Sequence, residues 1–178
     1  MDSEKPRRYQ VTMVSTYYPD TNCLDNVVVT NGSEQTYSSD VLAFLHSRQV
    51  FIVNSRKRNG LILFKRYHAE FAGPGAAVGG DYDADCQMVI PIGNLSLLTP
   101  ESYEERQKAY LIRRQWIRLI KQITEHPSPQ QRVQKILDQF EQYFPQEMVT
   151  NLPDVAFALL VGVLPQTVGI VRRWGERG

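Results

Sequence analysis

The stretch Val155-Ala156-Phe157-Ala158-Leu159-Leu160-Val161-Gly162-Val163-Leu164-Pro165-Gln166-Thr167-Val168-Gly169-Ile170-Val171-Arg172-Arg173-Trp174 decides the reading of this chain. It reads as a short helix, a turn at Gly162 and a second helix opening at Pro165. Glycine takes the left-handed backbone that a sharp reversal demands. Proline suits a first helical position, where the missing N–H has no partner to lose. Ala158 is the small residue where the two helices cross. This is the pattern of a helix-turn-helix, which sets its second helix into a groove of DNA.

Upstream, Ser128-Pro129-Gln130-Gln131 reads as another helix start, with Ser128 as cap, Pro129 first and Gln131 placed for a capping box. Val133, Ile136, Leu137, Phe140 and Phe144 repeat at spacings of three and four, and Pro145 ends the run. Further back, Thr99-Pro100-Glu101 predicts the start of a long helix that runs to about Thr124, where Glu125-His126-Pro127 stops it. One face carries Ala109, Ile112, Trp116, Leu119 and Ile123. Tyr103, Tyr110 and Ile117 form a heptad row on another. A helix that is apolar on two sides needs two covers. We expect its own β-rich half to be one and a second copy of the helix the other, with Tyr103, Tyr110, Ile117 and Trp116 at a homodimer contact.

The first hundred residues read as short strands. Val11, Met13 and Ser15 alternate with Thr12, Val14 and Thr16, and Val27-Val28-Val29-Thr30 stops at Asn31-Gly32. Asp40 is placed to cap a short helix over 41–45. Val50–Asn54 and Leu61–Lys65 flank a segment ending in Asn59-Gly60, which predicts a hairpin, because both residues tolerate positive φ. Both runs are apolar on both faces and are expected to be buried. Residues 72–80, rich in Gly and Ala, read as a loop, and Met88–Ile92 as an edge strand because of Pro91. Several short strands so spaced suggest a sandwich or barrel.

A chain of 178 residues with 42% hydrophobic and 22% charged content has room for a core, and a net charge of +1 does not by itself announce a nucleic-acid binder. Cys23 and Cys86 lie far apart without metal-ligand spacing, and no long apolar run appears, so the expectation is a cytoplasmic protein with free thiols and no membrane span. The six cations Arg106, Lys108, Arg113, Arg114, Arg118 and Lys121 on the long helix either flank DNA or pair with acids such as Glu101, Glu104 and Glu105. Asp81-Tyr82-Asp83-Ala84-Asp85 opens like a calcium loop, but Cys86 replaces its glycine and Ile92 its last glutamate. No nucleophile elbow, phosphate loop or zinc-hydrolase motif is present, so the reading is of a non-enzyme that needs no cofactor or metal.

The C-terminal half resembles the DNA-binding domain of the Crp/Fnr family of bacterial transcription regulators. Three stretches carry the likeness: Gln131–Leu137 as the first helix after a hinge, Ala158–Gly162 as the supporting helix and its turn glycine, and Pro165–Val171 as the recognition helix. The resemblance implies an eight-stranded jelly-roll sensor and makes the long helix the dimer helix. The family's base-reading positions correspond to Pro165, Gln166 and Ile170. Gln166 alone among them can read a base edge, preferring adenine. Leu164 stands where a Ser cap is usual. The family's β-hairpin wing does not follow within these 178 residues, and Phe71–Ala77 lacks the acid and base of its nucleotide-phosphate cassette, so no cyclic nucleotide is expected. The expected architecture is α+β: a jelly-roll- or sandwich-like domain over 1–98, a connecting dimerisation helix over 99–126 and a helix-turn-helix domain over 127–178. The expected function is a dimeric regulator that binds double-stranded DNA through Gln166, Thr167, Ile170, Arg172 and Arg173. The alternative is a regulator-derived module that has lost DNA reading and docks on a protein partner. A third reading puts a small effector at the loop over 72–80.

Overall fold

The computed structural model describes residues 10–15, 27–31, 34–36 and 39–175, which form two antiparallel sheets and six α-helices. The first sheet has the order β3-β2-β1-β9-β4-β7, with β1 Gln10–Ser15, β2 Val27–Asn31, β3 Glu34–Thr36, β4 Val50–Val53, β7 Ala77–Gly79 and β9 Leu95–Leu98. The second has the order β6-β5-β8, with β5 Asn59–Phe64, β6 Ala69–Ala72 and β8 Met88–Gly93. The helices are α1 Ser39–His46, α2 Tyr103–Thr124, α3 Pro129–Tyr143, α4 Gln146–Asn151, α5 Asp154–Val161 and α6 Pro165–Gly175. The coarse expectation of a mixed α+β chain, strands first and helices after, holds. The polar start over 1–8 and Cys23 lie outside the described residues.

The period-two pattern of β5 explains the layering. Ile62 and Phe64 point to one side and join Ala69, Phe71 and Ile92 under the helices. Leu61 and Leu63 point to the other and join Phe51, Val53, Val78, Leu95 and Leu97 between the sheets. β4 divides its side chains likewise, with Val50 and Ile52 meeting Ala109 and Tyr110 of α2. Both strands are buried along their whole length, as their two-faced apolar pattern requires.

The hairpin expected between these strands does not form. β4 pairs with β7 and β9, while β5 pairs with β6 and β8. Asn59 and Gly60 are strand residues opposite Gly93 and Ile92. The Asn59 side chain is engaged elsewhere. Its amide donates to the carbonyls of Asn54 (2.9 Å) and Lys57 (3.0 Å), and its oxygen accepts from the Ser96 N–H (3.0 Å). It pins the crossing from one sheet to the other. Gly60 is small because Phe71 lies on it; a Cβ there would fall 2.6 Å from the Phe71 ring. The loop expected over 72–80 contains β7, whose backbone completes the pairing of β4. Pro91 does lie in an edge strand, β8.

The helices have caps that the sequence encodes. Ser128 accepts from the Gln131 N–H at 3.4 Å at the start of α3. α2 begins later than the Thr99-Pro100 signal suggested: Ser102 accepts from the Glu105 N–H (3.1 Å), and Glu105 reaches back to the Glu101 N–H (2.8 Å). The helical half shares its core with the second sheet instead of closing on itself. Phe71 of β6 meets Trp116 of α2 (centroids 5.1 Å apart), Phe140 of α3 (4.9 Å) and Phe144 (6.0 Å). Apolar packing is therefore continuous across residues 98/99 and 126/127.

A polar cluster lies under α2. Arg113 is 1% exposed and forks onto Asp83 (Nη1–Oδ2 3.3 Å, Nη2–Oδ1 3.1 Å), with Glu70 at 2.6 Å. Lys65 bridges Asp83 (3.1 Å) and Asp85 (2.5 Å). Burial pushes the Glu70 carboxyl up, but the hydrogen bond and charge of Arg113, helped by His68 and Lys65, leave it below the usual glutamate value. A carboxyl depressed on folding stabilises fully above its unfolded value and loses that contribution as pH falls through the folded one.

This packing has two measurable consequences. Phe71→Ala should cost about 3–5 kcal/mol in urea unfolding, since it leaves a hole between three elements; a loss below about 1 kcal/mol would mean the aromatic contact is not formed. The urea midpoint should stay level from neutral pH down to about 5 and fall below about 4, with Glu70→Gln flattening part of that fall. A midpoint that rises on acidification would contradict the pairing of Glu70 with Arg113.

Candidate nucleic-acid interface

The corner between α5 and α6 is built by Gly162. Its φ of 65° and ψ of 51° are left-handed, and a Cβ there would meet nothing within 4 Å, so the glycine is needed for its backbone and not for space. The Val163 N–H closes the end of α5 on the Ala158 carbonyl at 3.0 Å. The two helices meet at a bend of 113°. Val168 and Val171 of α6 are buried with Phe157, Ala158 and Val161 of α5 and with the apolar face of α3. Among the described residues no single helix is long and apolar enough to cross a membrane.

Two half-buried arginines brace the corner. Arg132 of α3 donates to the His126 carbonyl and, at 3.3 Å, to the Gly162 carbonyl, tying the α2–α3 junction to the turn. Arg172 donates to the carbonyls of Val149 (3.2 Å), Thr150 (3.3 Å) and Leu152 (2.8 Å) at the end of α4. It also pairs with Asp154 at 3.0 Å, with its guanidinium 5.1 Å from the centre of the Phe157 ring. The sequence put Arg172 on a DNA-facing surface. The structure turns it inward, as a clamp that sets the angle of α6.

The other expected contacts lie on the outer side of α6. Gln166, Ile170 and Arg173 are exposed at spacings of four and three, one stripe of the helix, and Thr167 is half-buried beside them. Gln166, Ile170 and Arg173 line a shallow open groove with Asp154, Pro165 and Gly169. Gly169 keeps it narrow, since a Cβ there would stand 3.1 Å from an Asp154 oxygen. The rim is apolar: Leu164 is 68% exposed, Trp174 56% and Ile170 40%. Leu164 brings no acceptor to the start of α6.

The expected dimer residues separate. Tyr103 is 71% exposed, with Leu111 also open to solvent. Tyr110 packs on β4 and β7 of its own chain. Ile117 is half-buried. Trp116 is half-buried within the subunit between Phe71 and Tyr143, and a Cβ on Gly73 would strike its indole. Of the six cations on α2, five are exposed and Arg113 is buried.

The remaining candidates are engaged within the chain. Asp83 accepts from the Gly79 N–H (2.8 Å) and from Arg113, Asp85 holds Lys65, and Asp81 lies 3.9 Å from Arg48. Among the described residues no group of three His, Cys, Asp or Glu is placed to hold a metal. Cys86 is buried, and burial, with the Asp83 charge, pushes its thiol up to about 11, which leaves little thiolate at neutral pH. Residues 72–80 offer no mouth for an effector: all but Pro74 are buried, with Trp116 on Gly73 and Ile112 on Gly75. No protein-family model, curated protein or solved structure matches the chain.

Arg172→Ala should lower stability by about 1.5–3 kcal/mol, since it strands several carbonyls and a half-buried carboxylate at once. Arg173→Ala, one residue on, should leave thermal unfolding within about 0.5 kcal/mol of the parent. Equal losses for the two would contradict the clamp.

Proposed function

We propose that this chain is a cytoplasmic, dimeric, sequence-specific DNA-binding transcription regulator of Crp/Fnr type that takes no cyclic nucleotide. The observation that carries the reading is the stripe Gln166, Ile170 and Arg173: it faces solvent on the second of two helices that meet at 113°, within the range of DNA-reading helix pairs. Gln166 has the donor–acceptor pair that matches an adenine edge in the major groove, and Ile170 the apolar surface that suits a thymine methyl. Arg173 and Thr167 suit phosphates on either side. On this reading α5 and α6 are a helix-turn-helix, and the two sheets with α1 are the sensor-like jelly roll of the resemblance. The exposed row of α2 with Tyr103 and Leu111 faces a second copy. Two recognition helices then meet half-sites about one turn (~34 Å) apart.

A second reading has its own support. Over 127–175 the four cations Arg132, Lys135, Arg172 and Arg173 are matched by four acids, Asp138, Glu141, Glu147 and Asp154. Phosphate neutralisation supplies most of the affinity of a DNA-binding surface. The apolar rim of Leu164, Ile170 and Trp174, with an adjacent arginine, has the composition of a protein-binding centre. A regulator-derived module docking on a protein partner would use the same face.

Fluorescence anisotropy with random and A·T-rich duplexes, at low and moderate salt, separates the two. The regulator reading expects salt-dependent binding, with the salt slope lowered by about one in Arg173→Ala. It also expects a loss of sequence preference in Gln166→Ala. Absence of salt-dependent binding at micromolar protein overturns it in favour of the docking module, and unchanged preference in Gln166→Ala removes base reading by that residue.

A further inference from the structure

The cluster under α2 has the form of a ligand and its receptor. Asp83 presents both carboxylate oxygens to Arg113, one to each terminal nitrogen. The Ala77 carbonyl accepts from Nη1 at 3.1 Å, and Glu70 accepts from Nη2 at 2.6 Å. The acceptors come from three separate pieces of the β-rich half: β6, β7 and the short 3-10 helix Gly80–Asp83. The donor alone comes from α2. The acceptors are themselves held: the Gly79 N–H donates to Asp83 at 2.8 Å, Lys65 lies 3.1 Å from Asp83, and His68 lies 3.1 Å from Glu70. The Tyr82 ring closes the top, 5.1 Å from the Arg113 guanidinium and 5.6 Å from the Lys65 ammonium. Only a planar fork makes all of these bonds; an ammonium on a lysine stem reaches one or two of them.

We propose that Glu70, Asp83 and the Ala77 carbonyl form a guanidinium-binding site in the β-rich half, and that its resident ligand is the chain's own Arg113. The site docks α2 permanently. It does in cis what a small effector does in trans in a ligand-gated protein, where binding to one body shifts the equilibrium of a neighbouring helix. The charges in the enclosed part of the site balance, with Arg113 and Lys65 against Asp83 and Glu70, so removing the guanidinium leaves a polar cavity with unpaired acid. That cavity selects for the lost group. The placement of α2, and of α3 and α5 that share its core, then needs no added molecule. The site holds α2 in this way whatever α6 meets.

The test uses the full chain with Trp174→Phe as background, so that Trp116 is the single indole and its emission follows the docking of α2. Into this go Arg113→Ala, Arg113→Lys and Arg113→Met. Arg113→Ala should lower the thermal midpoint and speed amide exchange across α2 by about tenfold or more, with β5 less affected. Ethylguanidinium at millimolar concentration should restore the midpoint and the Trp116 emission along a saturating curve. Ethylammonium or sodium chloride at equal ionic strength should not, and Arg113→Lys should recover only part of the loss. A folded Arg113→Ala that gains nothing specific from ethylguanidinium overturns the proposal, as does an Arg113→Met that matches the parent in α2 exchange. If Arg113→Ala does not fold, Glu70→Gln and Asp83→Asn in the parent decide: faster exchange in α2 than in β5 supports the site, and equal exchange overturns it.

Discussion

The edge-to-face contact of Phe71 with Trp116, and the tilted contact of Phe71 with Phe140, join the second sheet to the helical half and fix how the two meet. Phe71 lies on a strand, Trp116 on the long helix and Phe140 on the helix that carries the α5–α6 corner. One ring therefore joins three elements whose sequence positions are far apart. Its burial requires a glycine beneath it at position 60, and that of Trp116 requires another at 73. With these rings in place the helical half cannot swing as a separate body without opening apolar surface. The direction of α6 is then a property of the whole packing and not of a hinge.

Two kinds of polar contact refine that packing. Arg113 fastens α2 to the β-rich half from below, and Arg172 fastens α6 to the end of α4. Arg113 is buried among acids, Arg172 is half-buried against the Phe157 ring, and the terminal nitrogens of both donate to the protein. Arg173 differs from its neighbour by direction alone. Adjacent arginines on one helix point about 100° apart, so one is structural while the next is left for a partner. What remains outward on α6 is a narrow stripe with one cation, one amide and several apolar groups. That mixture is why a base-edge role and a protein-docking role compete for the same face.

Much of the helical half was legible because its signals are local. Ser128-Pro129 and the 3–4 repeat of Val133 to Phe144 announced α3, and Gly162 with Pro165 announced the corner, since caps and turns act over a few residues. The later start of α2 was also written locally, in Ser102 and Glu105, but the stronger-looking Thr99-Pro100 pair masked it. The sheets were harder. Asn59-Gly60 carries a hairpin signal, yet Asn59 found partners at Asn54, Lys57 and Ser96, and tertiary pairing overrode the turn. Arg113 was misplaced because its partners lie 30 and 43 residues away. One signal was available: it sits in the apolar row of Ala109, Trp116 and Ile123, where an arginine needs a buried partner. Arg172 gave no such sign: three of its acceptors are backbone carbonyls that no side-chain pattern announces, and the acid it pairs with, Asp154, lies 18 residues away.

Entry of the outward stripe of α6 into the groove of a duplex is the step on which the regulator reading stands, and amide NMR of the chain titrated with a short A·T-rich duplex tests it most directly. Shifts should concentrate on 163–174, strongest at Gln166, Ile170 and Arg173, with the amides of Phe71 and Arg113 unmoved. Shifts centred on another surface, or an unchanged spectrum at saturating duplex, would contradict it.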